Sequence, residues 1–312
     1  MRGKEKMNQV KATIAVGVLL LLLGALVLPN VGYEKISLPE GTLYGKAIDT
    51  GNDAVVLLIA GSGPTDMDGN TPVIEGRNDS LIQLAKALEE KGISTLRYDK
   101  RTAGKSADSI ETETLDFDQF VSDSVAWIQH AKAMGYERIY LAGHSQGSLI
   151  AMLAASQESV NGVISLAGAG FPIDITLERQ LLEQLDADSD EFSVIAGLRE
   201  GRLDPSMKSD SILSLDKQEF LLTWMKYDPA AVISTLPCPA LILQGSVDLQ
   251  VNDGEFDRLR SASPQSLAVM FEDMNHVLKP VSSEKENLSS YSDPATGIDP
   301  RLVDAIADFV IK

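Results

Sequence analysis

Residues 138–149, Arg-Ile-Tyr-Leu-Ala-Gly-His-Ser-Gln-Gly-Ser-Leu, constrain the fold more than any other stretch of this 312-residue chain. The apolar run at 139–142 reads as a buried strand, and the small apolar residues at 149–155 read as a helix. Between them, Gly143-His144-Ser145-Gln146-Gly147 leaves room only for a tight strand-to-helix turn. A serine on such a bend has its hydroxyl pushed out of the fold, and flanking glycines let helix and strand approach closely. The amide of Gln146 then lies at a helix N-terminus, where unpaired N–H groups and the dipole favour an anion. A bare Gly-x-Ser-x-Gly also suits a glycine-rich turn with an ordinary serine. The rest of the chain has to supply the partners.

The frame around this turn alternates strand and helix. Strands are expected at 44–49, 54–60, 93–98, 162–166, 239–245 and 267–271. Helices are expected from an Asp79 cap to Lys91, over 117–134, and over 301–311, with a polar loop at 282–300. This succession predicts an α/β fold with a mostly parallel, doubly wound sheet over residues 33–312. Residues 171–234 break the rhythm. Three helical patterns (175–185, 191–200 and 217–227) follow one another there without a strand. An insertion that starts at a strand's carboxyl end reads as a helical cap over the site. Its apolar residues, Phe220 and Trp224 among them, exceed what three short helices bury among themselves and are expected to line an acyl pocket.

The N-terminal 32 residues are separate. Four basic residues and one acid flank or precede an uncharged run at 12–28 with five consecutive leucines. That length lies between a signal-peptide core and a spanning helix, and no small-x-small cleavage site follows. The expectation is a signal-anchor, a transmembrane helix holding the domain on the extracytoplasmic side, with a cleaved signal peptide and secretion as the alternative. Net charge is −18, and −21 without this segment. Such a surface repels phosphate backbones, which argues against a nucleic-acid partner. The single cysteine, Cys238, forms no internal disulfide and leaves the redox compartment open. Oligomeric state is not legible.

Three histidines limit the choice of a general base. His130 falls inside a helical stretch, and His144 adjoins the serine, so its ring leaves the strand in another direction. His276 sits in a loop just past a strand, where a base has to reach over the sheet. The acid that orients its imidazole is expected to be Asp248, after the strand ending near Gln244. Asp253 reads as a cap of the next helix, and Asp273 is the other competitor. The second oxyanion donor, beside Gln146, is expected from the backbone N–H of Ser62 in Ala60-Gly61-Ser62-Gly63-Pro64. The order Ser145, Asp248, His276 is the one this architecture uses.

With those residues in place the chain resembles the α/β-hydrolase fold serine hydrolases. Among them it looks like the bacterial esterase or dipeptidyl-aminopeptidase/acylaminoacyl-peptidase-like group. The matching stretches are Gly61-Ser62-Gly63-Pro64-Thr65-Asp66, Gly76-Arg77-Asn78, Arg97-Tyr98-Asp99-Lys100-Arg101, the Ser145 turn, and Asn275-His276-Val277-Leu278-Lys279. Thr102-Ala103 departs from the pattern, where relatives often have glycine after the arginine. The resemblance implies hydrolysis of small-molecule carboxylic esters with small to medium acyl groups through an acyl-enzyme, with no metal and no cofactor. A peptidase or amidase of the same fold, and a non-catalytic membrane-anchored binding module, are the alternatives.

Overall fold

The strand of six buried residues, Ala54–Ile59, lies at the middle of the sheet because both of its faces are apolar. A computed structural model describes residues 32–110, 114–186, 188–209 and 211–311. Its strands are β1 (Glu34–Leu38), β2 (Gly41–Ile48), β3 (Ala54–Ile59), β4 (Ser94–Tyr98), β5 (Arg138–His144), β6 (Gly162–Leu166), β7 (Ala240–Gly245) and β8 (Leu267–Phe271). They form one sheet in the order β1-β2-β4-β3-β5-β6-β7-β8. Pairing from β4 to β8 is parallel, while β2 runs antiparallel to both β1 and β4.

The helices are α1 (Ser80–Glu90), α2 (Gly104–Ala107), α3 (Phe117–Ala133), α4 (Gln146–Gln157), α5 (Ile173–Leu182), α6 (Asp190–Arg199), α7 (Leu215–Trp224), α8 (Pro229–Ser234), α9 (Asp253–Ala262), α10 (Glu284–Ser290) and α11 (Pro300–Ile311). Alternate residues of β3 feed two cores. Val55, Leu57 and Ile59 pack with α3, α4 and the inserted helices, and Val56 and Leu58 pack with α1 and α11. Covering both faces is what lets a parallel sheet be apolar throughout. After β3 the chain moves out to β4 and returns to β5 on β3's other side. The crevice outside the carboxyl ends of β3 and β5 is therefore the expected ligand site.

Several elements depart from the sequence reading. The edge strand β1 was not expected, since its Glu-Lys-Ile-Ser-Leu is half exposed and gains its partners only from β2. Helix α10 falls within the expected polar loop, and a fourth inserted helix, α8, follows Asp228, whose carboxylate caps it. Asp79 precedes α1 in a left-handed conformation and makes no side-chain cap; it binds Asn70 and Arg77 instead. Asn252, not Asp253, caps α9.

The expected membrane anchor, with the domain on the extracytoplasmic side, is corrected. Among the described residues no helix is long and apolar enough to cross a membrane. The longest, α3, has 17 residues and leaves one side polar, short of the about 20 apolar residues a span requires. Residues 12–28, on which the expectation rested, lie outside the described residues.

Candidate active site

The Ser145 turn forms as its glycines predict. A Cβ on Gly143 would collide with the Gly147 carbonyl, and one on Gly147 with the Ile59 carbonyl of β3. Both positions thus need glycine so that α4 can leave β5 while pressed against β3. Ser145 sits at φ 54 and ψ −120, outside the ordinary range for a residue with a side chain. Its N–H is held by the Leu166 carbonyl at 2.8 Å. The surrounding sheet fixes this bend and turns the hydroxyl to the cleft, where Ser145 lines two adjoining cavities.

His276 and Asp248 come from the loops after β8 and β7. His276 Nδ1 lies 2.8 Å from Asp248 Oδ2, and both side chains are buried. The carboxylate is held on three further sides. Its Oδ1 accepts the amides of Gln250 (2.7 Å) and Val251 (2.9 Å), and its Oδ2 accepts Gln244 Nε2 (3.0 Å). The His276 loop is pinned by Asn275, whose Nδ2 donates to Asn287 Oδ1 and Ser290 Oγ. Lys279 closes the same loop, donating to the Asp293 carbonyl at 3.1 Å, and burial carries its ammonium down to about 8. His276 and Ser145 line the same cavity. No hydrogen bond joins their side chains among the described residues.

His144 is the support that sequence reasoning missed. Its Nε2 approaches the His276 carbonyl at 2.7 Å, with the two rings 4.8 Å apart. Burial first, then the neighbouring His276, pushes its ionisation down to about 3. A neutral ring facing a carbonyl has to donate from Nε2, so His144 steadies the backbone of His276. His130 pairs with Glu34 at 3.0 Å, far from the cleft.

Residues 76–198 match the serine aminopeptidase S33 family, a span that holds Ser145 but stops before Asp248 and His276. Esterase EstD of Thermotoga maritima is 26% identical over 288 residues, covering 89% of this chain. The chain spans only 65% of that relative's length. Among solved structures, the Pyrococcus furiosus esterase Pf2001 superposes with a TM-score of 0.59 at 15% identity, covering 94% of this chain and 96% of the other. Est1E of Butyrivibrio proteoclasticus, bound to ferulic acid, gives 0.59 at 18% identity, covering 89% and 98%.

This chain has the α/β-hydrolase fold.

Within this fold, the two expected oxyanion donors flank the cleft. Ser62 borders both cavities, and Gln146 begins α4, where an amide has no intrahelical acceptor. Neither N–H is engaged by a carbonyl or side chain among the described residues. A buried lysine ties the two together. Lys100 Nζ donates to the Gly61 carbonyl, to the Gly63 carbonyl at 3.0 Å and to Gln146 Oε1 at 3.2 Å. Burial carries this ammonium down to about 7. The signal was present in Tyr98-Asp99-Lys100-Arg101, a charged run directly after a buried strand. Its neighbours are structural: Asp99 accepts the amides of Met67 and Lys105, and Arg101 pairs with buried Asp123 at 2.6 Å.

The competitors for Asp248 lie elsewhere. Asp253 opens α9, and Asp273 sits in a left-handed turn after β8 near Arg301. Among the described residues no cluster of potential metal ligands is present. The insertion reaches the site: Phe171, Ile173, Thr176, Gln180 and Trp224 line one cavity with Ser145. Phe220 does not. It packs on Phe117 and Phe120 in the core beneath. Buried Glu255 of α9 ties the insertion's first residues to the body, accepting the amides of Gly170 and Phe171 and pairing with Arg179 at 2.7 Å.

Proposed function

We propose that this chain is a serine esterase that cleaves small-molecule carboxylic esters. Ser145 is the nucleophile, His276 the base, Asp248 its orienting acid, and the Ser62 and Gln146 amides the oxyanion hole. What carries this reading is the 2.8 Å pairing of Asp248 with His276 on the wall of the cleft onto which Ser145 opens. The proton of the Ser145 hydroxyl passes to His276 Nε2 as Oγ bonds to the acyl carbon, and the two amides hold the oxyanion. When the bond from acyl carbon to alcohol oxygen breaks, His276 returns that proton to the leaving alkoxide. Water then repeats the sequence on the acyl-enzyme and frees the acid. Asp248 holds the ring and offsets its charge. Residues 171–234 act as a cap over the acyl side.

The S33 match raises an aminopeptidase as the second reading. Such an enzyme anchors a free ammonium group, which calls for a carboxylate in the cleft. Among the described residues neither cavity is lined by aspartate or glutamate, and this favours esters.

Ser145→Ala is expected to lower kcat on a nitrophenyl ester by about 10⁴–10⁶, with the circular dichroism spectrum unchanged. His276→Ala should do nearly the same, and the double variant should be scarcely worse, because the residues act as a unit. Fluorophosphonate should label wild type at Ser145 alone. Turnover above a tenth of wild type in Ser145→Ala would remove the assignment.

A further inference from the structure

Building on the esterase reading, we propose that Gln180 of the inserted helices is a positioning residue for the reaction. It holds Asp248 in line with His276 through the single peptide that joins Gln250 to Val251. Gln180 Nε2 donates to the Gln250 carbonyl at 3.0 Å. The N–H of the same peptide, that of Val251, donates to Asp248 Oδ1 at 2.9 Å. On the far side of the carboxylate, Oδ2 lies 2.8 Å from His276 Nδ1. Three hydrogen bonds thus run from the insertion to the base.

A peptide is planar, and in its trans form the carbonyl and the N–H point in opposite directions. A donor fixed on the carbonyl therefore sets the direction of the N–H. It also polarises the unit, which makes the N–H a better donor to the carboxylate. Arg179 Nη2 reaches the same carbonyl at 3.4 Å, and among the described residues these two side chains are its only donors. The preceding N–H, that of Gln250, also donates to Asp248 Oδ1, at 2.7 Å. Residues 250–251 wrap that oxygen, and α5 braces the outer side of the wrap.

The brace is firm because the body grips the same turn of α5. Glu255 of α9 is fully buried, and its Oε1 accepts Thr176 Oγ1 at 3.0 Å and pairs with Arg179 at 2.7 Å. Thr176, Arg179 and Gln180 are spaced to share one face of the helix. Gln180 is only 5% exposed, and its donation to Gln250 is the one hydrogen bond its side chain makes among the described residues. It also lines a cavity with Ser145, so its action through Asp248 has to be separated from contact with the substrate.

Gln180→Met keeps the length of the side chain and removes its donor. It should lower kcat on nitrophenyl esters about ten-fold with KM within about two-fold, because Asp248 acts on the barrier through His276 and not on binding. The factor should be the same for acetate, butyrate and hexanoate, since the acid serves every acyl group alike. It should vanish in the Asp248→Ala background, where no carboxylate is left to position, as read by the rate of fluorophosphonate labelling at Ser145. Gln180→Glu preserves the shape and can donate only while protonated. Its turnover relative to wild type should fall as pH rises from about 5 to 9, and this variant carries the test if Gln180→Met does not fold. Absence of both ester turnover and labelling in wild type overturns the esterase reading and this inference with it. With both present, any of four results overturns this inference alone: wild-type kcat in Gln180→Met, a factor that grows with acyl length, a factor that persists in Asp248→Ala, or a flat pH ratio in Gln180→Glu.

Discussion

Lys100 shows how one side chain can hold two halves of a site together. Its three acceptors are neutral oxygens, two on the Ser62 loop and one on Gln146, and it has no carboxylate partner among the described residues. Lys100→Met should preserve the packing of the stem and free the Ser62 peptide to rotate. The expected result is a fall in kcat of about 10–100-fold with KM nearly unchanged, since an oxyanion donor acts mainly in the transition state. Stability reports the same residue through pH. Burial disfavours the charge and carries the folded ammonium down to about 7, from the ordinary 10.5 of a lysine. Between those values the unfolded chain holds a proton the folded one does not, so wild-type stability rises with pH across that window. Subtracting Lys100→Met isolates this slope from that of Asp99, which burial raises to about 7. Urea melts at pH 7.5 and 9.5 should show wild type gaining on the variant; parallel changes would place the lysine in a solvated setting.

The inserted helices carry the element-scale argument. Trp224 of α7 stacks on Phe117 with ring centroids 5.2 Å apart, and it also borders the cavity lined by Ser145 and Ile173. Trp224→Ala should therefore shift the acyl-length optimum to longer chains, read from nitrophenyl esters of increasing length. Each added methylene that then reaches an apolar wall contributes about 0.8 kcal/mol. Phe220, one turn away, lies among Phe117, Phe120 and Trp224. Its truncation should leave the chain-length profile in place and cost about 3–5 kcal/mol of stability. Helical periodicity made both residues apolar-facing in the sequence. It did not say which side of a two-sided helix meets the substrate and which meets the core. That choice depends on where α3 lies, and α3 is roughly a hundred residues earlier in the chain.

Across the whole molecule the excess of acid is the dominant property. A net charge of −18 repels anionic substrates at a distance, and salt shortens the reach of that field to about 8 Å at physiological ionic strength. For an anionic ester such as a succinate half-ester, kcat/KM should rise as salt is added from about 10 to 150 mM. A neutral ester of similar size should show no comparable rise. Equal responses from the two would mean that the cleft is shielded from the surface charge.

The local grammar of the chain is sufficient for the strand-turn-helix at Ser145. Two glycines, a polar residue and an apolar run dictate that bend through backbone sterics alone. Buried parallel strands such as Ala54–Ile59 and Gly162–Leu166 are equally legible, since a strand covered on both faces has to be apolar throughout. With those strands placed, Ser145, Asp248 and His276 fall at one edge of the sheet by topology. What depends on packing between distant segments was not legible. The edge strand β1 acquires its hydrogen bonds only from β2, and α10 is a helix in a stretch whose composition reads as a loop. The roles of His144 and Lys100 have the same origin. Each is a polar residue of ordinary appearance in the sequence, and its effect comes from burial against a partner up to 132 residues away. Burial removes water as a competing partner, and which partner takes its place is decided by the tertiary structure.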